Sequence, residues 1–135
     1  MSHPNEDLLR RLYGSLAEGN LDAFVLGLGE DVYLVVPGKN RLSGFYTRAT
    51  MPHLFARIAE LSGGTFSPCV DDVVAGEDHG MVILTQRLTR RGKPREYKSL
   101  HLWRFRRGKP VEWWEHPRNL DEFDEIWSHG EGASA

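Results

Sequence analysis

Cysteine is the scarcest reactive residue in this sequence: Cys69 is the single one among 135 residues. One thiol cannot close an internal disulfide or build a cysteine-based zinc cluster. It has no neighbouring His or second Cys, so an inert thiol is expected. An excess of charge of one sign is also missing. The 17 Lys and Arg nearly balance 19 Asp and Glu, for a formal net charge of -2. That leaves no electrostatic basis for nucleic acid or an anionic membrane as the main partner. No apolar run approaches the ~18 residues a membrane span needs. The opening MSHPNEDLL has neither a basic region nor an apolar stretch. No secretory signal is therefore expected, and a cytoplasmic protein is. Internal repeats and low-complexity segments are absent too.

What remains is an ordinary globular composition, 40% apolar and 27% charged. It predicts one domain over residues 1–129 and a flexible tail over 130–135. Asn5 can cap a first helix, with Leu8, Leu9, Leu12, Tyr13 and Leu16 on one face and Gly19 as its end. Asn20 starts a second helix with Leu21, Phe24, Val25 and Leu28, closed by Gly29. The β-branched run DVYLVVPG reads as a short strand, and KNRLSGFYTR as a loop or small hairpin. Thr50 caps a third helix, with Met51, Leu54, Phe55, Ile58 and Leu61 as its stripe, stopped at Gly63-Gly64. Four strands follow, over 65–75, 80–90, 95–106 and 111–115, joined by short glycine-bearing turns. Pro68 makes the first of these an edge or bulged strand. Asn119 caps a short last helix with Phe123, Ile126 and Trp127. The order predicts an α+β fold, a curved mixed or antiparallel sheet closed into a cone by three N-terminal helices. The mouth of such a cone is the natural ligand site.

Strand alternation selects the side chains inside. Tyr97, Ser99, His101, Trp103 and Phe105 share one face of their strand, and Val111, Trp113 and Glu115 one face of the next. A turn centred near Gly108 sets His101 against Glu115, Trp103 against Trp113 and Phe105 against Val111. Opposed β-carbons lie ~5 Å apart. An imidazole and a carboxylate would then adjoin in an aromatic pocket, which suits general acid–base work. The same pair could equally be a satisfied polar contact in a core. Tyr13, Phe24, Tyr46, Phe55, Ile58, Trp103, Phe105 and Trp113 are candidate pocket walls. His116 and Trp114 belong to the outer face, and His53 and His79 to solvent. No histidine pair has metal-ligand spacing, so no metal is expected. The basic run Arg104, Arg106, Arg107 and Lys109 reads as a solvated outer face.

Three segments carry a family likeness: AEGNLDAF, VPGKNRLSGFYTR and the hairpin LHLWRFRRGKPVEWWEHP. Through them residues 5–127 resemble the SnoaL-like polyketide cyclases. Those belong to the nuclear-transport-factor-2-like superfamily, which includes the ketosteroid isomerases. The cyclase hairpin has a strand His, a Gly-Lys turn, and an Asp before an aromatic and Pro. The resemblance places that His on His101, the acid on Glu115, with Glu replacing Asp, and the Pro on Pro117. It implies acid–base roles for both in an intramolecular aldol closure, no cofactor, and a homodimer through the outer sheet face. Residues of the isomerases do not carry over. Their first-helix Tyr falls on Leu12, their shuttling Asp on Val35 or Val36, and their second acid on His101. No Asp–Arg–Asp set like that of the limonene epoxide hydrolases is present. Two expectations follow. One is a cofactor-free cyclase, isomerase or dehydratase acting on a small apolar, cyclic or polyketide-like molecule. The other is a non-catalytic ligand-binding or dimerisation module in the same fold.

Overall fold

The chain begins its first helix two residues earlier than the apolar pattern indicates. In a computed structural model describing residues 2–128, α1 spans Pro4–Ala17 and His3 is its cap, Nδ1 accepting from the Asn5 amide. Pro4, with φ already helical and no amide proton to satisfy, takes the first turn. Asn5 is therefore not the cap. It is buried, and its Nδ2 donates to the carbonyls of Gly76 and Glu77, tying α1 to the sheet. Asn20 does cap α2 (Leu21–Leu26), but the helix closes at Gly27 rather than Gly29. A Cβ at Gly29 would lie 2.8 Å from the Pro110 carbonyl, so glycine there serves a close approach of two chains. In α3 (Met51–Ser62), Thr50 holds the cap position, but its Oγ1 accepts from Thr47 N instead. Gly63, with φ at 61°, ends the helix in a left-handed cap.

Six strands form one mixed sheet that does not close into a barrel. They are β1 (Tyr33–Val36), β2 (Gly44–Thr47), β3 (Ser67–Ala75), β4 (His79–Arg90), β5 (Lys93–Arg106) and β6 (Lys109–Pro117). Their order is β2-β1-β6-β5-β4-β3. Part of the segment read as loop or hairpin is thus a strand, β2, paired antiparallel with β1. The pairing of β1 with β6 is parallel. Pro68 lies on an edge strand, and β3 also carries a bulge near Asp71. A final helix, α4 (Leu120–Ile126), is capped by Asn119 as its sequence indicates. The expected tail lies outside the described residues.

Two hairpins turn on Arg91-Gly92 and Arg107-Gly108. All four residues have positive φ, 57° and 78° in one and 53° and 74° in the other. That is the two-residue turn whose twist matches paired strands. The second hairpin contains an irregularity. Arg106 pairs with Lys109 and Phe105 with Pro110, but Arg104 pairs with Glu112. Val111 is the extra residue of a β-bulge, and Gly29 N donates to the Pro110 carbonyl beside it. Phe105 therefore opposes Pro110, not Val111.

The helices cover the inner face of the sheet around one core. Its largest fully buried members include Trp103, Trp127, Phe24 and Phe123. Trp103 stacks on Trp113 at 4.8 Å and 11°, a geometry worth ~1 kcal/mol beyond burial.

Candidate active site

β5 and β6 place His101 opposite Glu115 on the inner face, and β4 places Val82 beside His101. The two side chains meet: His101 Nε2 and Glu115 Oε1 are 2.7 Å apart. The second ring nitrogen is also engaged. Tyr13, on the buried face of α1, brings its hydroxyl to 2.5 Å from His101 Nδ1. Tyr13 Oη in turn accepts from Trp103 Nε1 at 3.0 Å. Indole can only donate, so the tyrosine proton is free to point at Nδ1. That leaves the ring proton on Nε2, donated to Glu115. The chain Trp103–Tyr13–His101–Glu115 is thus hydrogen-bonded in one direction from indole to carboxylate.

Electrostatics favours an ionised end to that chain. Burial pushes the Glu115 carboxyl up, but the electrostatic attraction of the adjoining His101 ring and the hydrogen bonds the carboxylate accepts outweigh this. Glu115 is held below the usual carboxylate range. Burial, reinforced by the negative charge of Glu115, raises the Tyr13 and Tyr97 phenols well above their ordinary value. Both therefore stay protonated at neutral pH. Gln86 Nε2 approaches Glu115 Oε1 at 3.5 Å. Glu115 Oε2, Ser99 Oγ and Trp113 Nε1 are buried with no hydrogen-bond partner among the described residues.

A cavity of about 240 Å³ opens beside these groups. Its polar floor is Tyr13, Gln86, Tyr97, His101 and Glu115; its walls include Leu34, Leu54, Phe66 and Phe123. Of the candidate wall residues, Tyr13, Phe55, Ile58 and Trp113 line it. Phe24, Tyr46, Trp103 and Phe105 do not. Phe24 packs against Trp103 and Trp113, Tyr46 donates to the Leu42 carbonyl, and Phe105 reaches the backbone of Gly80. These four fill the interior beside the cavity. Tyr97 and Gln86 went unnoticed as site residues. They are register partners on adjacent strands, and Tyr97 lies four residues before His101 on the same inward face, the signal that could have found it.

His116, His53 and His79 are exposed. Trp114 is half-buried, T-shaped against Tyr33 and stacked with His116. The basic run is partly neutralised: Arg104 pairs with Glu112 and Arg106 with Asp31. Among the described residues no three His, Cys, Asp or Glu side chains converge as a metal site. No helix there is long and apolar enough to cross a membrane.

No protein-family model matches the sequence, and no curated protein matches it. Solved structures do. Bal32a, from a soil-derived mobile gene cassette, is 25% identical with a TM-score of 0.86, over 92% of this chain and 96% of that one. TerC, co-crystallised with polyporic acid, is 22% identical with a TM-score of 0.81, over 92% of this chain and 98% of that one. A nuclear-transport-factor-2-like protein of unknown function from Burkholderia pseudomallei is 19% identical with a TM-score of 0.82, over 93% and 98%. IdmH from Streptomyces antibioticus, a proposed polyketide cyclase, is 19% identical with a TM-score of 0.72, over 92% and 99%. The chain has the nuclear-transport-factor-2-like fold. Within that fold its solved neighbours include a proposed polyketide cyclase, in line with the resemblance carried by the terminal hairpin.

Proposed function

We propose that this chain is an acid–base enzyme for a small, apolar, cyclic or polyketide-like molecule, with Glu115 and His101 as its proton-transfer pair. The observation that carries this reading is the buried 2.7 Å contact of His101 with Glu115 at the floor of an otherwise apolar cavity. Both His101 nitrogens are engaged, so Glu115 is the group of the pair that meets the ligand. His101 acts behind it, holding the carboxylate in place through Nε2 and so setting how readily it takes up a proton. Such equipment performs cyclisation, isomerisation or dehydration through proton transfer by the chain's own side chains, without calling on a cofactor. TerC, with the same fold, was crystallised with a small organic ligand, which supports reading the cavity as a ligand site.

The test needs an enolisable probe of suitable size. 2-Tetralone in D2O, followed by proton NMR, reports removal of the hydrogens beside its carbonyl. The wild-type chain is expected to accelerate exchange over buffer, and Glu115→Gln to lose about 100-fold of that acceleration. Exchange no faster than buffer in the wild type would leave the ligand-binding module as the better reading.

A further inference from the structure

The two buried phenols at the cavity floor spend their hydroxyl protons differently. Tyr13 gives its proton to His101 Nδ1. Tyr97 Oη accepts from Trp127 Nε1 at 3.1 Å, but no acceptor among the described residues takes its own proton. Tyr97 is 4% exposed, and a buried tyrosine hydroxyl ordinarily finds an acceptor. Because indole only donates, the Tyr97 oxygen has its accepting side filled and its donating side unspent. One other donor among the described lining residues is unspent, Trp113 Nε1, but an indole N–H is a far weaker acid than a phenol and suits an oxygen that gains charge less well. Glu115 accepts, both His101 nitrogens are occupied, and Gln86 Nε2 is turned toward Glu115. Among the described residues no Lys or Arg lines the cavity.

We propose that Tyr97 is the hydrogen-bond donor to a carbonyl oxygen of the ligand, and that the cavity takes a neutral cyclic carbonyl compound. An anionic ligand would bury a second negative charge beside Glu115 with no cation to receive it. The volume supports a fused bicyclic ring: about 240 Å³ exceeds the ~150 Å³ that accepts a single benzene. The proposal rests on reading this cavity as the catalytic one and extends that reading. Glu115 removes a proton from the carbon next to the carbonyl. The C–H electron pair becomes a C=C bond, the carbonyl π pair moves to oxygen, and the Tyr97 O–H holds the resulting enolate oxygen without giving up its proton. Return of the proton to the same or another carbon completes an exchange or an isomerisation.

A matched pair of probes tests this: 2-tetralone and tetralin, which differ by the carbonyl oxygen, titrated by tryptophan fluorescence into wild type and Tyr97→Phe. The ketone is expected to bind about five-fold more tightly than the hydrocarbon in the wild type. In Tyr97→Phe that preference disappears while tetralin affinity stays. The infrared stretch of 13C-labelled carbonyl in the bound ketone should fall in the wild type relative to apolar solvent. This second reading needs no variant to fold. Equal affinities in the wild type, binding of neither probe, a preference that survives Tyr97→Phe, or an unshifted stretch would each overturn the proposal. The two readings fail separately. A Tyr97-dependent preference without deuterium exchange removes the catalysis and keeps the donor. Exchange with an unshifted carbonyl removes the donor and keeps the catalysis.

Discussion

At Glu115 two opposing forces act on one carboxyl, and the pairing force wins. Burial favours the neutral acid, yet His101 lies 2.7 Å away and holds the carboxylate. A carboxyl lowered on folding contributes stability that is complete above its unfolded value of ~4.3. That contribution is lost as pH falls through the lower, folded value. Glu115→Gln removes it at every pH. Urea unfolding of both proteins from about pH 7 to about pH 3 should show the wild type more stable, with the gap closing at the acid end. Exposed acids such as Glu125 are present in both proteins, so the difference isolates the buried carboxyl. A gap independent of pH would mean that Glu115 is not held ionised by its partner. The Tyr13 hydroxyl belongs to the same account: Tyr13→Phe leaves His101 Nδ1 and Trp103 Nε1 without a partner. Two buried orphans predict a loss of ~2–4 kcal/mol, read as a shift in the denaturant midpoint.

The β5–β6 hairpin shows how a register becomes a site. Its turn is centred between Arg107 and Gly108, and without further irregularity it would set Trp114 against His101. The bulge at Val111 adds one residue to β6 and returns Glu115 to that place. Deleting Val111 should therefore exchange the inner and outer faces of β6 beyond the turn. Val111→Ala, by contrast, should cost only ~1–3 kcal/mol of packing. Cross-strand NMR contacts between His101 and Glu115 would survive the alanine and vanish in the deletion. If the deletion keeps them, the bulge does not set the register. The same element shows what was legible beforehand. A turn centred on Gly108 with no bulge gives the same partner for His101 as the true turn plus the bulge, because the two offsets cancel. At Phe105 they do not cancel, and its partner is Pro110. Helix faces follow from local spacing and were readable from α1 to α4; the stop at Gly63 was readable too, whereas α2 closes at Gly27 and not at Gly29. The β1–β6 pairing joins residues about 80 apart, Tyr33 with Glu112, and no local pattern encodes it. Gln86 was hidden for a related reason: its place at the floor depends on how β4 lies against β5, whereas Tyr97 was already legible on the inward face of β5.

The face of the sheet away from the helices carries the argument about the whole molecule. Following cross-strand partners, one row runs Val74, Met81, Leu102, Trp114, Val35 and Phe45, through all six strands. Every member is apolar. Phe45 is 63% exposed, and Ile83, one row over, is 45% exposed. Scattered exposed apolar side chains are normal, but a continuous band across a sheet marks an interaction surface. We propose that a second copy covers it, forming a homodimer. A two-fold interface uses the same patch twice, so one substitution places two like charges across the axis. Met81→Glu changes a side chain that is 39% exposed, and folding of the protomer should survive it. Sedimentation velocity at micromolar concentration should give a dimer for the wild type and a monomer for Met81→Glu, with unchanged circular dichroism. The inner face is a separate surface, so 2-tetralone exchange should persist in the monomeric variant. A monomeric wild type would remove the dimer. A monomeric variant with lost exchange would mean that the outer face supports the register of β5 and β6, and the pairing of His101 with Glu115 along with it.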